Sequence, residues 1–495
     1  MIRFCYRLKT VLIISMAFAF GGCRLSDPGK VIPAGREPLI EPDYSGVTIP
    51  SNIAPMNFQI LEEGESHIVN LSLSDGNSET FRSSDGLVRF PPGKWKNILN
   101  SSRGGTIKIE VLSKDKEGIT RKYEPFRMTV AGSPIDPYLC YRLLYPGYES
   151  WVEMQIITRS TESFREESLI ENQLLDKNCI NCHTFNHNSP ERFLVHVRGS
   201  RGGTYFYDGE KIIRTSLRTD SMKANAVYPA WHPGGRFVVF SSNKTVQTFH
   251  MKAGKNIEVF DLFSSLVIYD TEKNEIYGCK DMDTVQYMET FPCWSPDGEY
   301  LYYCRTPQVK MEHDLTTVKY DLVRKHFNVS SGESGKAEIV FNAHEIGKSV
   351  SFPSISPDGK YLVLTLHDYG TFSIWHREAD LYIIDLNSRK IEKMTVNSEE
   401  SDSYHSWSSD GKWLVFSSKR TDGLTARTYF SWFESPDSVG KPFALPQKDP
   451  TLYRRMEKTF NRPELVTGKI EAGPRDFMNG SKEDPLKAVW TGEKK

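Results

Sequence analysis

The sequence is short of charge of one sign. Its 495 residues carry 62 Lys and Arg against 63 Asp and Glu, a formal net charge of −1. Binding to a phosphate backbone draws on counterion release by clustered cations, so this balance excludes nucleic acid as an expected partner. Beyond the first 20 residues there are no long apolar runs, which excludes a multi-span membrane protein. The sequence has no G-x-S-x-G elbow for a serine hydrolase, no H-E-x-x-H zinc-peptidase helix and no second C-x-x-C. Gly347-Lys348-Ser349 ends like a P-loop, but Asn342 stands where the first glycine is required. Aromatic residues, by contrast, are plentiful: 23 Tyr, 27 Phe and 9 Trp suit β-rich cores and two or three domains.

The first 22 residues have the form of a secretory signal peptide. Arg3, Arg7 and Lys9 precede an apolar run from Val11 to Phe20, followed by Gly21 and Gly22. The run falls short of the about 20 residues that cross a bilayer. Small residues directly before Cys23 resemble the lipobox of bacterial lipoproteins, which implies lipidation of Cys23. Arg24 in place of Asp implies, by the same resemblance, the outer membrane, facing the periplasm or the surface. Phe20 departs from the lipobox pattern and leaves ordinary cleavage or a retained anchor open. Residues 23–43, rich in Pro and Gly, form an expected lipid-anchored linker.

Residues 44–165 alternate with period two, as in Val69/Leu71/Leu73, Ile107/Ile109/Val111 and Phe126/Met128/Val130. Half-buried strands separated by Asp75-Gly76 and Gly104-Gly105 predict an antiparallel, Ig-like β-sandwich. Residues 166–178 contain no Gly or Pro and are good helix formers, so a short helical segment is expected over 166–189. Four gapless repeats then start at Pro229, Pro292, Pro353 and His405, with spacings of 63, 61 and 52 residues. Each reads as strand, tight Pro-Asp-Gly-type turn and strand, followed by a third strand, the pattern of a four-stranded propeller blade. The expected fold class is all-β: the sandwich, the helical segment, a propeller of five or six blades over 190–446, and a C-terminal extension over 447–495.

Cys179-Ile180-Asn181-Cys182-His183 is the c-type haem attachment sequence, C-x-x-C-H. Two thiols three residues apart on a helical turn meet the two vinyl groups of a porphyrin edge, and the adjacent His183 serves as proximal iron ligand. A structural zinc site would need a second pair, but Cys140, Cys279, Cys293 and Cys304 lack the spacing. A thioredoxin-type redox pair would need a βαβ setting. For the sixth ligand His250 is favoured, with His196, Met222, Met251 or an open site as alternatives. His187 lies too close to His183 on a helical face to reach across the haem. Inner strands beginning before each repeat place Tyr228, Phe291, Phe352, Tyr404 and His405 at the channel mouth. Glu289, Glu345 and Asp402 on preceding loops complete a candidate partner-binding set.

The repeats W-S-P-D-G-K-x-L-x-F followed by I-x-x-x-D-L resemble those of TolB-type β-propellers. With I-P-x-N-I-A-P-x-N-F at Ile49 to Phe58, C-I-N-C-H-T-F at Cys179 to Phe185 and L-P-Q-K-D-P at Leu445 to Pro450, the chain resembles a bacterial family of TolB-like propeller lipoproteins. That family carries a C-x-x-C-H insertion and is sometimes labelled as cytochrome c biosynthesis proteins. The resemblance runs from Ile49 to Val466 and implies thioethers at Cys179 and Cys182 with His183 as ligand. Thr184 stands where serine is usual. The expected function is haem binding with electron transfer or redox sensing at the cell envelope, through one covalent haem c and an envelope or redox partner. The alternative is a TolB-like scaffold that binds a peptide, glycan or protein, with haem non-catalytic or absent. A non-enzymatic role is favoured, with a peroxidase-like activity as the lesser option and no substrate implied.

Overall fold

The computed structural model describes residues 30–147, 152–250, 255–279, 286–310 and 314–494. The predicted leader 1–22, the lipidation site Cys23 and Met251 lie outside these residues. Residues 31 to 130 form a seven-stranded and a three-stranded sheet around the helix Pro92–Ser101. The long strands Ser66–Ser72, Thr106–Lys114 and Phe126–Val130 alternate buried and open positions, as their period-two sequences require. Trp95, fully buried on the helix, closes this core and donates its indole N–H to the Ile53 carbonyl at 3.0 Å.

The remaining described chain forms six meander sheets whose inner strands meet in a closed ring. In ring order these inner strands are Cys179–Phe185, Asn225–Trp231, Tyr287–Trp294, Ser349–Ile355, Asp402–Trp407 and Thr459–Val466. Local chemistry builds the repeated turn. At Ser295-Pro-Asp-Gly, the Asp297 carboxylate accepts from the Glu299 N–H at 2.9 Å and the Ser295 hydroxyl accepts from the Tyr300 N–H at 2.9 Å. Gly298 takes φ +76°, a value that side-chain-bearing residues avoid. The turns at Ser356 and Ser408 repeat this bonding. At the first repeat His232 stands at the serine position and Gly234 at that of the acid, and His232 Nδ1 accepts from the Gly234 N–H at 3.0 Å.

The structure moves two expected boundaries. The sixth blade combines Tyr138–Leu144, Met154–Ser160 and Glu166–Glu171 with the distant strand Thr459–Val466. The propeller therefore starts inside the segment predicted as sandwich and ends inside the predicted C-terminal extension. Both regions alternate with period two, and this blade lacks the Pro-Asp-Gly-type turn of the four repeats. The helix expected over 166–178 is instead the strand Glu166–Glu171 and a 3-10 turn, Asn172–Leu174. Leu169 and Ile170 are buried against Ile156 and Ile180, so packing overrides a helical preference worth only a few tenths of a kcal/mol per residue.

The two units share a core. Tyr44, Phe58 and Trp95 belong to the same apolar cluster as Trp413, Phe430 and Phe460 of the propeller. Asp136, at the junction, accepts from the Ser409 N–H at 2.8 Å and from its hydroxyl at 2.5 Å. Among the described residues no helix is long and apolar enough to cross a membrane.

Candidate functional site

Every inner strand of the ring carries a bulge at the same level. The register shifts between Val227 and Ala230, Thr290 and Cys293, Ser351 and Ser354, Ser403 and Ser406, and Cys140 and Arg142 opposite the sixth strand. At these bulges Tyr228, Phe291, Phe352, Tyr404 and Arg462 hold φ between +48° and +52°. A left-handed backbone costs an L-residue roughly 1–2 kcal/mol, so the ring stores strain at its centre. The first blade bulges at the equivalent place, between Ile180 and His183. The C-x-x-C-H motif thus lies on an inner strand and not on the predicted helix, with Asn181-Cys182 in the slot that three other blades fill with an aromatic residue followed by proline.

The bulges turn their side chains onto the channel axis. Ring centroids of Tyr228 and Phe291 are 4.6 Å apart, Phe291 and Phe352 4.2 Å, and Phe352 and Tyr404 4.9 Å. These rings plug the channel. On one side of the plug, the long hairpin Phe237–Phe249 and Ile257–Asp270 reaches across to the fourth blade. There Ile257 and Val259 pack with Phe352, Trp375 and Tyr404 and cover that end. On the turn side the channel opens as a funnel of about 350 Å³, with Tyr404, His405, Trp231, Arg462 and Glu464 in its lining.

The three motif residues are deeply placed. Cys182 is 4% exposed and beside the Arg462 guanidinium, and His183 is 0% exposed. Cys179 is half-buried, with Arg142 and Arg198 near it; desolvation raises its pKa and the two cations oppose this. Both thiols are free. Arg142 fixes the bulge by donating to the Ile180 carbonyl at 3.3 Å and the Asn181 side-chain oxygen at 3.1 Å. The His183 ring faces the backbone of Arg462 and of Cys140, with no side-chain partner at either nitrogen. Burial, with Arg462 and Arg142 nearby, drives its pKa down to about 3, so the imidazole is neutral. Two free thiols at C-x-x-C spacing and a following neutral imidazole are the donor set that c-type haem takes, so the residue types fit the group. His183 is enclosed where the inner strands of the first and sixth blades meet.

The other predicted ligands are dispersed. His250 pairs through Nε2 with Glu258 at 2.5 Å near the hairpin's end, beside Tyr369 of the fourth blade. His196 is buried on the next strand of the first blade, with Nδ1 3.3 Å from the Thr204 hydroxyl. Met222 packs in the core between the first two blades. His187 lines the funnel and contacts the Pro233 carbonyl at 3.0 Å.

Of the candidate partner-binding residues, the structure brings Tyr228, Tyr404 and His405 to the funnel and leaves the three acids elsewhere. Glu289 and Asp402 are buried near the start of inner strands, at the covered end, and Glu345 is exposed on a 3-10 turn, His344–Ile346. Asp402 is structural. It accepts from Arg420 Nη2 at 2.9 Å and from the Ser398 N–H at 2.6 Å. Breaking a buried pair strands the surviving charge, so Asp402→Ala is expected to lose about 3–5 kcal/mol in a denaturant melt. A loss under about 1 kcal/mol would refute this role.

Arg462 and Glu464 escaped the sequence analysis because no Pro-Asp-Gly turn flags their strand. Phe460-Asn-Arg-Pro463 does keep the proline that follows the bulge residue in three repeats. No family model matches the sequence, and no curated protein does. Solved structures match its chain path at low identity. A hypothetical selenium-binding protein from Sulfolobus tokodaii is 12% identical, over 86% of this chain and 96% of its own, with a TM-score of 0.41. A puromycin-hydrolysing peptidase from Mycobacterium tuberculosis is 11% identical over 85% and 57%, at 0.34. Prolyl oligopeptidase B from Galerina marginata is 11% identical over 68% and 42%, at 0.36.

Proposed function

We infer that this chain is an exported c-type haem protein of the cell envelope, in which a TolB-like propeller carries one covalent haem and passes or senses single electrons. In this reading a lipid on Cys23 anchors it to the outer membrane, and an envelope or redox partner docks on it. The observation that supports the reading is the trio of two free thiols at C-x-x-C spacing and a following buried, neutral imidazole. Cys179 and Cys182 would hold the group through thioethers and His183 would ligate the iron. When bound, haem supplies one-electron redox chemistry. Burial keeps His183 in the neutral form a ligand requires. Arg142, Arg198 and Arg462 surround the motif with positive charge, which favours the reduced state of a redox group held among them.

The test is a pyridine haemochrome spectrum of protein made in a host with the c-type maturation system, beside a Cys182→Ala variant. The expected result is a c-type α band in the wild type and a shifted band in the variant, which keeps one thioether. Folded wild-type protein without haem would overturn the reading. The open funnel favours a second one, a TolB-like envelope scaffold that captures a peptide, glycan or protein partner, with haem non-catalytic or absent.

A further inference from the structure

We propose that His367 and His376, at the covered end of the fourth blade, bind a late first-row transition-metal ion such as Zn²⁺ through their Nε2 atoms. The site uses none of the residues of the C-x-x-C-H motif or the funnel. His367 ends the strand Tyr361–His367, and His376 follows the 3-10 turn Ser373–Trp375. Their ring centroids are 4.9 Å apart and their planes are inclined at 54°. Two imidazoles that share a tetrahedral ion, each bonded at about 2.0–2.1 Å, hold their centroids about 5 Å apart. Both residues are withdrawn from solvent, with exposures of 0% and 5%.

Hydrogen bonds set both rings in the tautomer of a ligand. His367 Nδ1 is 2.9 Å from the Tyr369 carbonyl, which only accepts, so the proton of the neutral ring sits on Nδ1 and the lone pair on Nε2. His376 Nδ1 is 2.8 Å from the Glu378 carboxylate, which holds the proton of that ring in the same place. Metal-ligating histidines commonly pass their other N–H to a carbonyl or a carboxylate, and this pair has one of each. Neither Nε2 is engaged. That of His367 is buried with no hydrogen-bond partner, and the hydrogen bond of the His376 ring is the one at Nδ1. Leaving a buried acceptor bare costs about 1–3 kcal/mol, a cost that a bound ion removes. His376 borders a cavity of about 10 Å³, the room of one water, which Glu258, Tyr369 and Thr371 also line. No group of three or more His, Cys, Asp or Glu side chains is set to hold an ion among the described residues, so water fills the remaining positions. Imidazole donors suit Zn²⁺ and Cu²⁺ and disfavour Mg²⁺ and Ca²⁺, which take oxygen ligands.

Calorimetric titration with Zn²⁺ of the full-length chain carrying Cys179→Ser and Cys182→Ser tests the proposal, because the two thiols would take the same ions. One Zn²⁺ is expected to bind per chain, and Mg²⁺ is expected not to compete. His376→Gln in that background is expected to abolish the binding. Glu378→Ala, which removes only the group that orients His376, is expected to weaken it about 10–100-fold. With Cu²⁺ in place of Zn²⁺, pulsed electron paramagnetic resonance is expected to show modulation from two imidazole rings, falling to one or none in His376→Gln. If His367→Gln fails to fold, His376→Gln, at the edge of the cavity, still decides. No Zn²⁺ binding, equal binding of Mg²⁺, modulation from fewer than two imidazoles, or unchanged affinity in folded His376→Gln would each overturn it.

Discussion

A chain that ends at Pro450 is expected to lose cooperative folding of the propeller and not merely a tail. The strand Thr459–Val466 is the innermost strand of the sixth blade, paired with Tyr138–Leu144 on one side and touching the inner strands of the fifth and first blades. Its removal exposes the contact faces of Phe460, Leu465 and Val466, all nearly fully buried, and takes Ile470 and Phe477 from the adjoining core. At about 1.5–3 kcal/mol for each large apolar side chain, this loss approaches the whole stability of a typical domain, about 5–15 kcal/mol. Arg427 would also lose acceptors. Its guanidinium donates to the carbonyls of Tyr453, Met456 and Lys458, all beyond the cut. A ring whose blades are stabilised by their neighbours then has two open edges. The measurement is thermal unfolding followed by near-ultraviolet circular dichroism. A truncated chain that melts in one sharp transition within a few degrees of the full chain would refute the closure role.

That seam also explains what could be seen in the sequence. Four blades announce themselves through a gapless repeat, and in three of them Ser, Asp and Gly satisfy one another within a six-residue turn, so the information is local. The sixth blade has no such signal, and its strands are separated by more than 300 positions between Tyr138 and Val466. Alternation alone could not assign Met154–Ser160 to a propeller and not to the preceding sandwich. The C-x-x-C-H residues were legible from spacing, whereas their setting was not. A bulged inner strand puts Cys182 on the channel axis and His183 against the sixth blade, and only the closed ring creates that environment. Glu289 and Asp402 looked like mouth residues because they precede the repeats. Strand direction sends them to the covered end, while the positions just after each bulge reach the open funnel.

The stability of the protein is expected to rise with pH between about 7 and 10, through one buried amine. Lys419 follows the strand Trp413–Ser418, is 3% exposed, and has an Nζ with no hydrogen-bond partner, 3.4 Å from the centroid of the Trp375 ring. Desolvation pushes its pKa down to about 7, against the pull of Asp422 and Glu400. In the unfolded chain the amine titrates near its ordinary value of about 10.4. Between those two values the unfolded chain binds a proton that the folded chain has released, so raising the pH favours the fold. Below about 7 both states are charged and the cost is at its full value, on the order of 4 kcal/mol from desolvation. The indole face gives back about 2 kcal/mol to the ammonium, which lowers the net cost. Lys419→Met keeps the length and apolar body of the side chain without the charge. In chemical denaturation at pH 6 the variant is therefore expected to be more stable than the wild type by about 2–4 kcal/mol, with the gap closing as the pH approaches 10. Comparing the two chains at each pH cancels every other titrating group. Parallel curves across pH 6 to 10 would show that the Lys419 amine stays charged in the fold, held there by the Trp375 face.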